Sequence, residues 1–238
     1  MKTEEKVNKA LEIISSSLGS SLKTVILYGS VARGEEVHKR SDINLFVVIA
    51  DEGLQPFKLL WKSVKTLRKL RVNPVIITER YISRSLDSFP LEFLDIAKTG
   101  KVLYGVGIDY ITANISKEAV RVSCERELKS KLIGLKRVYL HSKGKTKGLR
   151  DLLFHSLTGL RVILLGLHYL QNTEAKANVV SLSQDAEIST ELIKQIELLR
   201  KGELKLKRAE LLSLFESYIE EIEKLTNWLD EFQLVDSR

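Results

Sequence analysis

The 238-residue sequence has one cysteine, one methionine and three prolines. With Cys124 alone, no disulfide can form within the chain, which excludes a disulfide-stapled scaffold. Cys124 falls in a helical pattern, where a lone thiol is expected to be packed against apolar neighbours. Aromatic residues make up only 7% of the chain, and none form a ladder through its lysine-rich stretches. Stacking of a single nucleic-acid strand therefore has little support in the sequence. Long apolar runs are missing as well. The run near Val162–Leu167 falls far short of the roughly 20 residues that cross a bilayer. The opening MKTEEKVNKA is charged and lacks an apolar centre, unlike a secretory signal. These absences lead us to expect a cytoplasmic protein with no membrane association.

What is present is an apolar content of 44%, enough for a packed core, and 29% charged residues. The formal net charge is +7 and the pI about 9.3, a balance that favours polyanionic partners. Val7, Ala10, Leu11, Ile14 and Leu18 recur at helical spacing, so residues 3–18 are expected to form an amphipathic helix. Thr24–Tyr28 and Ile43–Ala50 are β-branched and apolar, and are expected to be strands. The near-continuous apolar character of the second points to a sheet covered on both faces. Phe57–Leu70 has the pattern of one helix, with Phe57, Leu60, Val64, Leu67 and Leu70 on its inner side. Val75–Thr78 is a third short strand, and Pro74 must lie at its start or on a sheet edge. Residues 79–99 look helical with a break near Pro90, and Lys101–Tyr104 makes a fourth strand.

Beyond Ser116 the strand patterns stop. Residues 117–142, 149–170, 187–201 and 206–234 are helical in pattern. Strands and helices followed by helices alone predict two domains, an α/β domain over 1–110 with a mixed sheet and an all-α bundle over 116–238. The broad leucine face of 149–170 places that helix at the centre of the bundle, or under a second copy of the chain.

The most informative stretch is YGSVARGEEVHKRSDINLFVV, Tyr28 to Val48. A strand breaks at Gly29-Ser30, a polar loop follows, and Ser41-Asp42-Ile43-Asn44 leads into the next strand. Gly29 allows a phosphate to approach the backbone without a side chain in the way. Amides of the following turn and the Ser30 hydroxyl can donate to phosphate oxygens, and Arg33 can offer a charged fork. Alternatively, Arg33 pairs with a nearby acid such as Glu35, Glu36 or Asp42. Asp42 and Asn44 are two apart on an extended segment, so their side chains share a face.

The pattern Gly29, Ser30, Ala32, Arg33, Gly34, Ser41, Asp42 resembles the signature of the polymerase-beta-like nucleotidyltransferases, especially the minimal ones, over roughly residues 24–104. The resemblance implies binding of a nucleoside triphosphate with Mg2+ or Mn2+, and transfer of a nucleoside monophosphate to a hydroxyl acceptor. It makes Asp42 the principal metal ligand. It also places Asn44 where the family carries its second aspartate, and Asn73, in Val72-Asn73-Pro74-Val75, nearest to where it carries its third acid. A neutral carboxamide can ligate a metal, but weakly. Glu79 is the closest surviving acid on the third strand and a candidate further ligand, or else the first-turn acid of the following helix. Two other readings stand beside catalysis: an inactive nucleotide- or RNA-binding module, and a toxin–antitoxin-like interaction protein.

Two basic stretches are candidates for a nucleic-acid backbone, with Lys62 and Lys65 in one and Lys143, Lys145 and Lys147 in the other. The helical half resembles the substrate-binding helices of kanamycin-nucleotidyltransferase-like proteins or a HEPN domain. Arg150 and His155 fit the Arg-to-His spacing of HEPN nucleases. Five residues apart on a continuous helix, however, such side chains point about 140° away from each other.

Overall fold

The structure is a computed structural model and describes residues 2–35, 42–172, 179–185 and 188–232. The chain divides into two compact units, Met1–Ile115 and Ser116–Arg238.

The first unit is built on a four-stranded mixed sheet of β1 (Leu22–Tyr28), β2 (Ile43–Ile49), β3 (Val72–Thr78) and β4 (Lys101–Tyr104), in the order β3-β2-β1-β4. β1 runs antiparallel to β2 and to β4, while β2 and β3 are parallel. The strands alternate between two buried faces, as their apolar runs require. On one face Val25, Leu27, Leu45, Val47 and Ile49 meet Val7, Ala10, Ile14 and Leu18 of α1 (Thr3–Leu18) and Leu60, Leu67 and Leu70 of the β2–β3 connection. On the other, Phe46 packs edge-on against Phe93 of α6 (Pro90–Thr99), with ring centroids 6.2 Å apart.

Two local expectations change. The helix expected over Phe57–Leu70 is interrupted: α3 (Gln55–Leu60) and α4 (Val64–Leu70) are joined by a 3-10 turn, Trp61–Ser63. The tighter turn rotates the stripe, so Leu60, Leu67 and Leu70 are buried while Phe57 and Val64 stay exposed. β3 starts three residues earlier than expected and contains Pro74. It can do so because β3 is an edge strand, where a missing N–H need leave no neighbour unpaired. A short helix, α5 (Glu79–Arg84), precedes α6, and α7 (Asp109–Thr112) closes the unit.

The described elements of the second unit are all helices: α8 (Lys117–Ser142), α9 (Thr146–Leu170), α10 (Val179–Asp185), α11 (Thr190–Lys201) and α12 (Arg208–Glu231). α10 was not anticipated from the sequence, and α9 begins three residues before the leucine pattern does. α9 forms the core, with Leu149, Leu153, Leu157, Leu160, Ile163, Leu164 and Leu167 buried. It is long and apolar enough to cross a membrane over Gly148–Leu170, but 61% of its most apolar window is buried inside the protein, as in a core helix. Cys124 is fully buried and its thiol lies 3.7 Å from the Ile163 carbonyl. Burial pushes its pKa up, so it is an inert packing thiol.

A polar cluster crosses this core. Lys131 Nζ donates to the Ser156 carbonyl at 3.0 Å and to its hydroxyl at 3.4 Å, and that hydroxyl lies 2.9 Å from the Tyr218 hydroxyl. The absent side chain at Gly159 leaves room for the ammonium. Burial lowers the Lys131 pKa from 10.5 to about 8, against an opposing effect from Glu127. Between these two values the unfolded chain binds the proton and the folded chain does not, so this group makes stability rise with pH from about 8 to about 10.5. Lys131→Met removes that dependence. The melting temperature of the wild type should therefore gain on that of the variant between pH 8 and pH 10, and a constant gap would contradict the assignment.

Candidate functional site

β1 ends at Tyr28 because Gly29 turns the chain with φ 78° and ψ −161°, a conformation that excludes residues with a Cβ. The space above Gly29 is also taken: a Cβ there would lie 3.0 Å from Asn44 Nδ2. The chain then makes one helical turn, α2 (Ser30–Arg33), ended by Gly34 in the left-handed region. The first amides of such a turn have no carbonyl of their own helix to bind. The predicted strand, glycine and turn are therefore present, although the helix is only four residues long.

The strand register assembles the rest. Tyr28 is opposite Asn44 across β1–β2, and Asn44 is opposite Asn73 across β2–β3. In-register residues of neighbouring strands point to the same face. Asn44 and Asn73 thus stand side by side next to Gly29, and Asp42, two residues before Asn44, shares their face. The register thus brings the three candidate positions Asp42, Asn44 and Asn73 together at one end of the sheet.

Asp42 is not a free carboxylate. Arg71 Nε lies 3.1 Å and its Nη2 3.0 Å from Asp42 Oδ1. Arg71 is the C-cap of α4 and adopts a left-handed φ of 61°, and its carbonyl accepts the Ile43 amide at 2.8 Å. The guanidinium is thus held beside the entry to β2. No feature of the sequence pointed to it, because the partners are 29 residues apart.

Arg33 takes the ion-pair alternative. Its side chain is 5% exposed and faces acids: Nε to Glu35 Oε1 is 2.6 Å, Nη2 to Glu35 Oε2 is 3.1 Å, and Nη1 to Asp95 Oδ2 is 3.9 Å. Asp95 lies on α6 and also accepts the Thr99 hydroxyl at 2.9 Å. Arg33 therefore ties the signature turn to α6, and its charge is balanced by carboxylates before any phosphate arrives. Burial and the nearby Asp95 charge both raise the Tyr28 pKa, burial the more.

Glu79 is excluded from this cluster by topology. It follows Thr78, at the opposite end of β3 from Val72, about 20 Å away for six strand steps. There it opens α5, as the alternative reading had it, and accepts the Tyr110 hydroxyl at 2.5 Å. Burial and then this bond push the Tyr110 pKa up to about 12. The donor set at the sheet end therefore does not fit the two-metal centre that the resemblance implies. One carboxylate is present and already ion-paired, two neighbours are neutral amides, and no group of three or more His, Cys, Asp or Glu side chains poised for a metal occurs among the described residues.

The basic stretches fare differently in the two units. Lys62 and Lys65 are exposed, as is Trp61 beside them, which is 67% accessible. Lys143 and Lys145 are exposed in the short α8–α9 connection, while the side chain of Lys147 lies outside those described. The second basic stretch runs into α9, which is helical from Thr146. Part of the positive charge of α8 is paired with acids of α12, with Lys129–Asp230 at 2.9 Å and Lys136–Glu223 at 2.7 Å. Arg150 and His155 are both exposed on the continuous α9, where the His155 ring nitrogen meets the Asp151 carbonyl at 2.6 Å. His168 is buried and bonded to the Leu182 carbonyl at 3.1 Å, a packing role.

Residues 7–118 match the model of the nucleotidyltransferase domain, a match that lies almost wholly within the N-terminal unit. No curated protein sequence matches the chain. Solved structures similar in fold include the spectinomycin adenyltransferase of Enterococcus faecialis, crystallised with ATP and spectinomycin. It has 13% identity and a TM-score of 0.59, over 97% of this chain and 100% of that one. A toxin–antitoxin structure with AMP-PNP matches 56% of this chain and 97% of its own, at 18% identity and a TM-score of 0.32. A nucleotidyltransferase-like protein of Exiguobacterium sibiricum matches at 14% identity and 0.39, over 93% of this chain and 75% of its own. At 13% identity the likeness to the adenyltransferase is one of fold alone.

The buried pairing of Arg33 gives a direct expectation. Arg33→Ala leaves Glu35 and Asp95 without their cation, and unfolding free energy in urea should fall by about 3 kcal/mol, as for other broken buried pairs. A loss confined to nucleotide binding, with stability intact, would instead make Arg33 a phosphate ligand.

Proposed function

We propose that this chain binds a nucleoside triphosphate at the end of the sheet around Gly29 and Ser30, and that its transfer of nucleotides to acceptors is severely slowed. One observation supports the reading: the Gly29 turn follows β1, and Asn44 and Asn73 stand in register beside it, at positions where the family resemblance implies acids. Phosphate binding draws on backbone amides and a small residue at Gly29, and both are retained. Transfer must also neutralise the charge that develops between attacking and leaving oxygens, and paired carboxylates serve that purpose by holding cations there. Asp42 alone, paired to Arg71, is a poor base for it.

The helical unit has the place that an acceptor- or partner-binding domain would have in the chain. The likeness of fold to an adenyltransferase over 97% of the chain supports that division of labour. The acceptor class is left to experiment.

Transfer of label from each α-labelled NTP tests the reading, with total RNA, protein extract and aminoglycosides as acceptors and magnesium or manganese present. We expect ATP or another NTP to bind measurably by calorimetry. Labelling should be at least about 100-fold slower than in the Asn44→Asp/Asn73→Asp variant, because lost ligands cost at least that much. Rapid labelling by the wild type, abolished in Asp42→Ala, would show a working transferase and overturn it.

A further inference from the structure

The cation that the acidic cluster of a nucleotidyltransferase would hold as a metal is present here as a side chain. We infer that Arg71 takes the place of the metal charge, so that this site holds the phosphates of a nucleotide without a divalent ion. The inference rests on the nucleotide-binding reading and deepens it.

Four observations carry it. The Arg71 guanidinium sits on Asp42 Oδ1 at 3.0 and 3.1 Å and places a positive charge directly on that carboxylate. Its backbone is held there in a left-handed conformation at a helix C-terminus, a position that usually takes glycine. The main-chain bond from the Ile43 amide to the Arg71 carbonyl, at 2.8 Å, fixes it beside β2. Arg71, Asp42 and Gly29 stand at the ends of three neighbouring strands, so Arg71 is about 10 Å from Gly29 across two inter-strand spacings. That span suits a long side chain and a chain of phosphates between the two.

The other two changes point the same way. A carboxylate in place of Asn44 or Asn73 would only accept hydrogen bonds and would repel a phosphate unless a cation lay between them. A carboxamide also donates, and can bond a phosphate oxygen directly. Three carboxylates require metal ions before a polyanion can approach. One carboxylate neutralised by a guanidinium, flanked by two amides, does not. Arginine also matches phosphate geometry better than a point charge does, through its paired N–H groups. The Arg71 side chain is 36% exposed, so its remaining donors are open to a ligand.

The test is calorimetric binding of ATP to the full chain in EDTA and in magnesium. The expected result is binding in EDTA within about threefold of that in magnesium, weakened about tenfold in Arg71→Gln and less in Arg71→Lys, which keeps the charge. Circular dichroism melts confirm that each variant is folded. Asn44→Asp provides a second arm that leaves Arg71 in place: it should weaken binding in EDTA and make it dependent on magnesium. Wild-type binding seen only with magnesium, or EDTA binding unchanged in folded Arg71→Gln, overturns this inference and leaves the nucleotide site standing. No binding in either buffer overturns the nucleotide reading itself, and this inference with it.

Discussion

The register between β2 and its two neighbours sets the chemistry of the N-terminal unit. A strand shifted by one residue would turn every side chain to the opposite face. The observed pairing is held by the apolar residues of β2, whose alternate faces are both buried, by α1, α3 and α4 on one side and by Phe93 of α6 on the other. That packing leaves no freedom over where the polar residues at the strand entry fall. Asn44 must lie against Gly29 and beside Asn73, and Asp42 must precede them on the same face. The site is thus a consequence of core packing a few residues away. The Arg33 ion pairs with Glu35 and Asp95 then fix the turn onto α6 from the other side.

Within this frame, asparagine at two positions changes the electrostatic character of the site without changing its shape. Asparagine and aspartate are nearly isosteric, so the fold tolerates the exchange. What changes is the negative charge presented to a polyanion, which falls from that of three carboxylates to one carboxylate paired with Arg71. On the proposed reading, a cluster that would attract metal ions and then phosphate becomes one that meets phosphate directly, with Arg71 supplying the charge. The helical unit shows a comparable economy of charge. The basic run of α8 and the acidic side of α12 bind each other through Lys129–Asp230 and Lys136–Glu223, which removes part of the positive surface that composition alone suggested.

Much of this was legible in the sequence. The four strands follow from β-branched runs, the break at Gly29-Ser30 from the glycine, and the core role of α9 from its leucines. Asn73 could be placed opposite Asn44 only approximately, because Asn73-Pro74 interrupts the apolar pattern that marks a strand. The interruption at Trp61–Ser63 was hidden because a 3-10 turn carries no periodic signature of its own at that length. Arg33 could be read either as a phosphate fork or as an ion pair, since local sequence offers both partners and only burial chooses between them. Arg71 could not be read at all. Its importance lies in one contact with a residue 29 positions away, made possible by a left-handed backbone that sequence does not announce in an arginine.

The central claim is that this sheet end has exchanged metal binding for direct phosphate binding. Manganese titration followed by electron paramagnetic resonance addresses it most directly, comparing the wild type with Asn44→Asp/Asn73→Asp. The account predicts that the double variant binds Mn2+ at least about tenfold more tightly than the wild type, through restored carboxylate ligands. Equal and tight Mn2+ binding by the two proteins would contradict it.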